Sequence, residues 1–174
     1  MTTNDSAKID QSNNGGLSVD ITGAENHCTI LAIEPSAKER GVIWVGTDDG
    51  NLQLTRDGGK TWTNLSGSLP GVKAGSWIPY IEVSTKNAGE VFVIVNDYRR
   101  NDYRPMAFRS KDFGKTFTAI VTEKQVPCYT LSIVQDPVAS DMLWLGTDCG
   151  LYLSIDGGKN WKKLGKESGL PDGP

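Results

Sequence analysis

An eight-residue phrase occurs three times in this chain and constrains its fold more than any other feature. It reads Thr55-Arg56-Asp57-Gly58-Gly59-Lys60-Thr61-Trp62, then Ser110-Lys111-Asp112-Phe113-Gly114-Lys115-Thr116-Phe117, then Ser154-Ile155-Asp156-Gly157-Gly158-Lys159-Asn160-Trp161. A hydroxyl residue, an Asp two positions on, a Gly two further and a large aromatic three beyond that are common to all copies. The aspartates stand 55 and 44 residues apart, and self-similarity at such periods marks tandem structural repeats. Asp57, Asp112 and Asp156 are expected to fold their carboxylates back onto N–H groups of the turn that follows. Gly59, Gly114 and Gly158 are expected to take positive φ, which only glycine does without a Cβ penalty. Trp62, Phe117 and Trp161 then open the returning strand and offer a large apolar surface to a sheet interface.

The repeat is longer than the phrase. Cys28–Ile33 aligns with Cys128–Ile133, and Val42–Asp48 aligns with Met142–Asp148. In the first unit the strands are expected near 29–34, 42–47, 51–56 and 61–65, each short, β-branched or aromatic, and bounded by turn residues. The middle unit gives strands at 78–83, 90–95, 105–109 and 116–120, with an insertion at 96–104. No stretch carries a helical period. The chain is therefore read as all-β, a β-propeller arc of about three four-stranded antiparallel blades. Its divisions are a polar segment 1–26 with a short strand, then blades at 27–71, 72–121 and 122–174. Closed propellers need about four to eight blades. The chain is accordingly expected to be an internal segment completed by the remaining blades of a longer chain, or to self-associate.

Composition excludes more than it assigns. A net charge of −3 leaves no basic footprint for nucleic acid, and no apolar run reaches membrane-span length. Residues 1–16 are polar and form no signal peptide. No cofactor is implied, and no metal is expected because no contiguous carboxylate spacing of the EF-hand kind is present. Cys28 and Cys128 occupy equivalent positions two blades apart, too far for a bridge. With Cys149 they are expected to be three free, buried or half-buried thiols.

The phrase resembles the Asp-box, or BNR, repeat of sialidases, xyloglucan-degrading enzymes and sortilin-type receptors, and in that family the box is structural. Gly23–Ile30, Ile43–Gly50 and the 96–104 insertion look most like the sortilin or Vps10-like propeller proteins often labelled glycosyl hydrolases. That resemblance covers residues 15–174 and implies a secreted or extracytoplasmic parent. The Arg-Ile-Pro phrase of sialidases is missing, which argues against that activity. In such blades, loops leading into first strands share a face with the turns joining second to third strands. On this chain that face gathers Glu25, His27, Asp49 and Trp77. The insertion adds Tyr98, Arg99, Arg100, Asp102, Tyr103 and Arg104, an aromatic–guanidinium mixture suited to sugars or carboxylates. A lone histidine such as His27 is more often structural than catalytic. The expected function is a ligand-binding platform for a protein, peptide or carbohydrate. Two alternatives remain open: part of a glycoside hydrolase whose carboxylates are shared with other blades, and an assembly-factor scaffold.

Overall fold

The computed structural model describes residues 28–169. Among the described residues, twelve strands form three four-stranded antiparallel sheets in simple meander order. The first sheet holds β1 (Ile30–Pro35), β2 (Ile43–Thr47), β3 (Leu52–Thr55) and β4 (Thr63–Asn64). The second holds β5 (Trp77–Val83), β6 (Val91–Asp97), β7 (Asp102–Ser110) and β8 (Thr118–Ala119). The third holds β9 (Thr130–Gln135), β10 (Leu143–Thr147), β11 (Gly150–Ser154) and β12 (Lys162–Lys163). First strands of neighbouring sheets pack together, β1 on β5 and β5 on β9, so the sheets fan out from a common hub.

The period-two alternation of β6 holds the fan together. Val91, Val93 and Val95 face the first sheet and join Trp44, Leu52 and Leu54 in one core. Phe92 and Ile94 point the opposite way and join Ile133, Leu145 and Tyr152 in a second core. A strand covered on both faces reads as a continuous apolar run, as Val91–Val95 does. The two end sheets are covered less completely. Trp44 is fully buried against the second sheet, whereas its equivalent Trp144 is half-exposed. Ile133 is fully buried, whereas its equivalent Ile33 is 58% exposed.

The segment at 96–104 is less an insertion than a lengthening of the β6–β7 hairpin. Asp97 and Asp102 still pair, after a register shift between Val95 and Asp97. A 3-10 turn at Tyr98–Arg100 closes it, with Asn101 at φ 58 in the left-handed region that Asn tolerates.

All three Asp-box turns are clasped in the same way. Asp57 Oδ1 accepts from Thr61 N at 2.9 Å, and Oδ2 from Thr61 Oγ1 at 2.6 Å. Asp112 repeats this with Thr116 at 2.9 and 2.7 Å. Asp156 does so with Asn160 N and Nδ2 at 2.9 and 2.7 Å. Hydrogen bonds to the ionised form hold the Asp112 and Asp156 carboxyls down to about 2. The leading hydroxyl is a second member of the clasp that the aspartate-centred reading missed. Thr55, Ser110 and Ser154 each donate to the aspartate and accept from the box glycine. Those glycines do take positive φ, at 95°, 77° and 89° for Gly59, Gly114 and Gly158. Each box is also tied to the neighbouring turn of its own sheet, because Gly58, Phe113 and Gly157 donate their N–H to Gly41, Gly89 and Asp141 carbonyls. Of the aromatics, Phe117 packs on the first core, and Trp161 packs on the second while its Nε1 donates to Ile120 O at 2.7 Å. Trp62 Nε1 bonds Gly59 O within its own box.

The cysteine reading requires correction. Cys128 and Cys149 are joined in a disulfide, with Cα atoms 6.1 Å apart. Cys28 is buried and takes no part in it. Equivalent positions in different sheets lie too far apart to bridge, but positions within one sheet do not. Within one sheet, the residue before the first strand lies beside the second-to-third-strand turn, and antiparallel pairing brings Cys128 to Cys149.

Candidate functional site

Antiparallel order sorts the turns onto two faces. Boxes and first-to-second-strand turns share one face, as their mutual backbone bonds show. The β2–β3, β6–β7 and β10–β11 turns share the other with the segments leading into β5 and β9. This second face, the rim, carries the candidate residues. Glu25 and His27 lie outside the described residues.

The long hairpin organises the rim. Tyr98 stacks on Tyr129 with ring centroids 5.0 Å apart, and Tyr103 approaches the same ring at 6.2 Å. Tyr129 precedes β9, so the three tyrosines bridge the second and third sheets. Tyr103 is 56% exposed, which leaves an aromatic surface open to solvent. Partial burial, and next the Asp148 carboxylate, push the Tyr129 hydroxyl up. On the other flank, the Arg99 guanidinium lies over the Trp77 ring. Trp77 Nε1, Arg99 Nη1 and Asp97 Oδ2 are buried without a hydrogen-bond partner. Beside the tyrosines an open cavity of about 470 Å³ is lined by Asp102, Tyr103, Arg104, Glu123 and Pro127 among others.

The remaining candidates are engaged within the fold. Arg100 pins the hairpin: Nε donates to Asp97 Oδ1 at 2.6 Å, Nη1 to Ala74 O at 3.1 Å and Nη2 to Ser76 Oγ at 2.9 Å. Arg104 grips Asp102 bidentately at 2.8 and 2.6 Å, and Lys73 adds a contact at 3.4 Å. These bonds, led by that from Arg104, hold the Asp102 carboxyl well below the usual range. Asp49 is buried, and its oxygens accept from Thr47 Oγ1 and from Asn51 Nδ2. Asp49 thus fills in the first sheet the position that Cys149 and its bridge fill in the third.

Two features escaped the sequence reading. Tyr129 could have been found from its place beside Cys128, one residue before an inner strand. The second is a carboxylate pair on the inner strands, Glu34 of β1 and Glu82 of β5. Burial pushes both carboxyls up, and their mutual repulsion adds to the rise at Glu82. Gln135 N crosses from β9 to donate to Glu82 at 3.4 Å. Nothing in one strand's sequence marks this pair, because only the hub packing brings the two strands together.

Comparison with known proteins fits this geometry. A family model described as BNR-Asp box repeat matches residues 108–120, and one described as BNR/Asp-box repeat matches residues 152–163. No curated protein matches the sequence at a significant level. Among solved structures, an ancestral GH74 enzyme superposes with TM-score 0.62 at 21% identity, over 87% of this chain and 20% of that one. YCF48 bound to D1 peptide superposes with TM-score 0.59 at 21% identity, over 78% and 40%. The GH74 xyloglucanase from Xanthomonas campestris gives 0.61 at 13% identity, over 84% and 24%. The chain thus spans between one fifth and two fifths of these neighbours. With three clasped boxes in register on three fanned, four-stranded sheets, the chain carries Asp-box repeats and has the fold of β-propeller blades.

Proposed function

We propose that the rim of the second and third blades is a docking surface for a peptide segment of a partner protein. The observation that carries this reading is the tyrosine cluster of Tyr98, Tyr103 and Tyr129, mounted on a braced hairpin and left partly open. Tyrosines give large contact area at low conformational-entropy cost. The bonds from Arg100 to Ala74 and Ser76 hold the hairpin in advance of binding, which lowers the cost of ordering it. Structural likeness to YCF48, seen elsewhere with a bound peptide, supports the same reading. The Cys128–Cys149 bridge fits an oxidising compartment.

The test is a peptide panel and a glycan array run on the chain and on a Tyr103→Ala, Tyr129→Ala variant of unchanged secondary structure. Peptide binding weakened about tenfold or more in the variant is the expected result. Retention of every interaction overturns the proposal, and loss of glycan binding alone moves the site to carbohydrate.

A second reading, hydrolysis of a glycan by a longer protein containing these blades, draws on the GH74 likeness and on Glu34 and Glu82. A carboxyl whose affinity for its proton is raised by burial is what a general acid requires. A Glu82→Gln change that leaves hydrolysis by the longer protein intact would remove that support.

A further inference from the structure

The two inter-blade junctions differ on the box face. Between the first and second blades, Arg56 of the first box lies over the Phe113 ring of the second, 3.8 Å from its centroid. Phe113 also packs on the first core. Between the second and third blades, the same two box positions are Lys111 and Gly157. The cation is kept and the ring is absent. The result is a groove of about 580 Å³ whose floor includes Ala119 and Ile120.

We propose that this groove binds an acidic saccharide, a sugar chain bearing carboxylate groups. Its walls carry cations from both blades, Lys111 on one side and Lys159 on the other, and no acidic side chain lines it. Arg109 also faces it, but its charge is matched by the buried Glu90. Among the described residues neither Lys111 nor Lys159 has an ion-pair partner, so the groove presents two uncompensated ammonium groups. Thr118 adds a hydroxyl, while that of Thr122 already donates to Gln125 Oε1 at 3.1 Å. The walls are tied across the junction: Arg109 Nη1 donates to Gly157 O at 3.2 Å, and Gln125 Nε2 to Lys159 O at 2.8 Å. The backbone donors of the third box that line the groove are already used, Gly157 by Asp141 O and Gly158 by Ser154 Oγ. Side-chain ammonium and hydroxyl groups therefore remain for a ligand. They match a carboxylated, hydroxyl-rich ring whose apolar face rests on Ala119 and Ile120, better than they match a peptide main chain.

The test uses the 174-residue chain with an oligogalacturonate, a neutral cello-oligosaccharide of equal length and a glutamate oligopeptide, followed by calorimetry. The acidic sugar alone is expected to bind, more weakly at higher salt because the cations are exposed. Lys111→Gln and Lys159→Gln are each expected to weaken it about fivefold. Gly157→Phe, which copies the residue at 113, is expected to abolish it by filling the groove. If that variant folds poorly, the two lysine variants decide alone. Absence of oligogalacturonate binding at millimolar concentration, equal binding of the neutral sugar, or insensitivity to both lysine changes overturns the proposal. Binding of the glutamate peptide in place of the sugar overturns the saccharide assignment.

Discussion

Removing the Cys128–Cys149 bridge should destabilise the third blade by an amount that the geometry sets. The bridge joins residues 21 apart in sequence. Closing a loop of that length restricts the unfolded chain by about 3 kcal/mol at room temperature. Both cysteines are only half-buried, so a Cys128→Ala, Cys149→Ala variant loses little packing, and the loop term dominates. For a protein of this size, about 3 kcal/mol corresponds to a fall in Tm of roughly 6–12 °C. Thermal unfolding of wild type with and without reductant, beside the double variant, measures it. Reductant should lower the wild-type Tm to near that of the variant and leave the variant unmoved. Thiol titration of the denatured chain should give one thiol before reduction, from Cys28, and three after. A Tm that neither reduction nor substitution moves, or three thiols in the unreduced protein, would refute the reasoning.

Other perturbations test other parts of the structure. Glu82 has a raised folded pKa, so the folded state holds its proton more tightly and the ionised group opposes folding at neutral pH. Glu82→Gln should therefore raise Tm at pH 7, with the gain vanishing below pH 4, as a melting series across pH will show. Asp112 and Asp156 have the opposite sign: their stabilising contribution is present above pH 4 and is lost as pH falls toward about 2. Asp156→Asn should accordingly melt earlier than wild type at pH 7 and converge with it near pH 2. A Cβ at Gly114 would meet Leu65 Cδ1 at 2.5 Å and Trp44 at 3.0 Å with φ at 77°, whereas one at Gly58 meets nothing. Denaturant unfolding should show Gly114→Ala costing about 3 kcal/mol and Gly58→Ala about 1 kcal/mol. Trp144 lies half-exposed where Trp44 is buried, so sedimentation of the chain should show association that Trp144→Glu reduces.

The box turns were legible in the sequence because their chemistry is local. Asp57, Thr61 and Gly59 lie within five residues, so the clasp closes on itself wherever the segment is placed. The β6 strand was equally legible, since a run of apolar residues from Val91 to Val95 is what a strand buried on both faces requires. From these followed three four-stranded units and the face on which each turn lies. The rest depended on contacts between segments far apart in sequence. Cys128 meets Cys149 only because β10 runs antiparallel to β9, and comparing blade with blade hid a pairing that lies within a blade. Tyr129 became part of the rim cluster only when the third blade docked and set it beneath Tyr98. Arg100 and Arg104 read in the sequence as candidates for ligand contact, or equally as members of a self-paired charged hairpin. Tertiary structure committed Arg100 to the Ala74–Ser76 loop, whereas Arg104 pairs locally with Asp102 two residues away, because a charged side chain near a partly buried acceptor gains more from pairing than from solvation. The groove between the second and third boxes rests on one residue, Gly157 in place of an aromatic. Sequence recorded that difference, but only the packing of blade on blade made it a cavity.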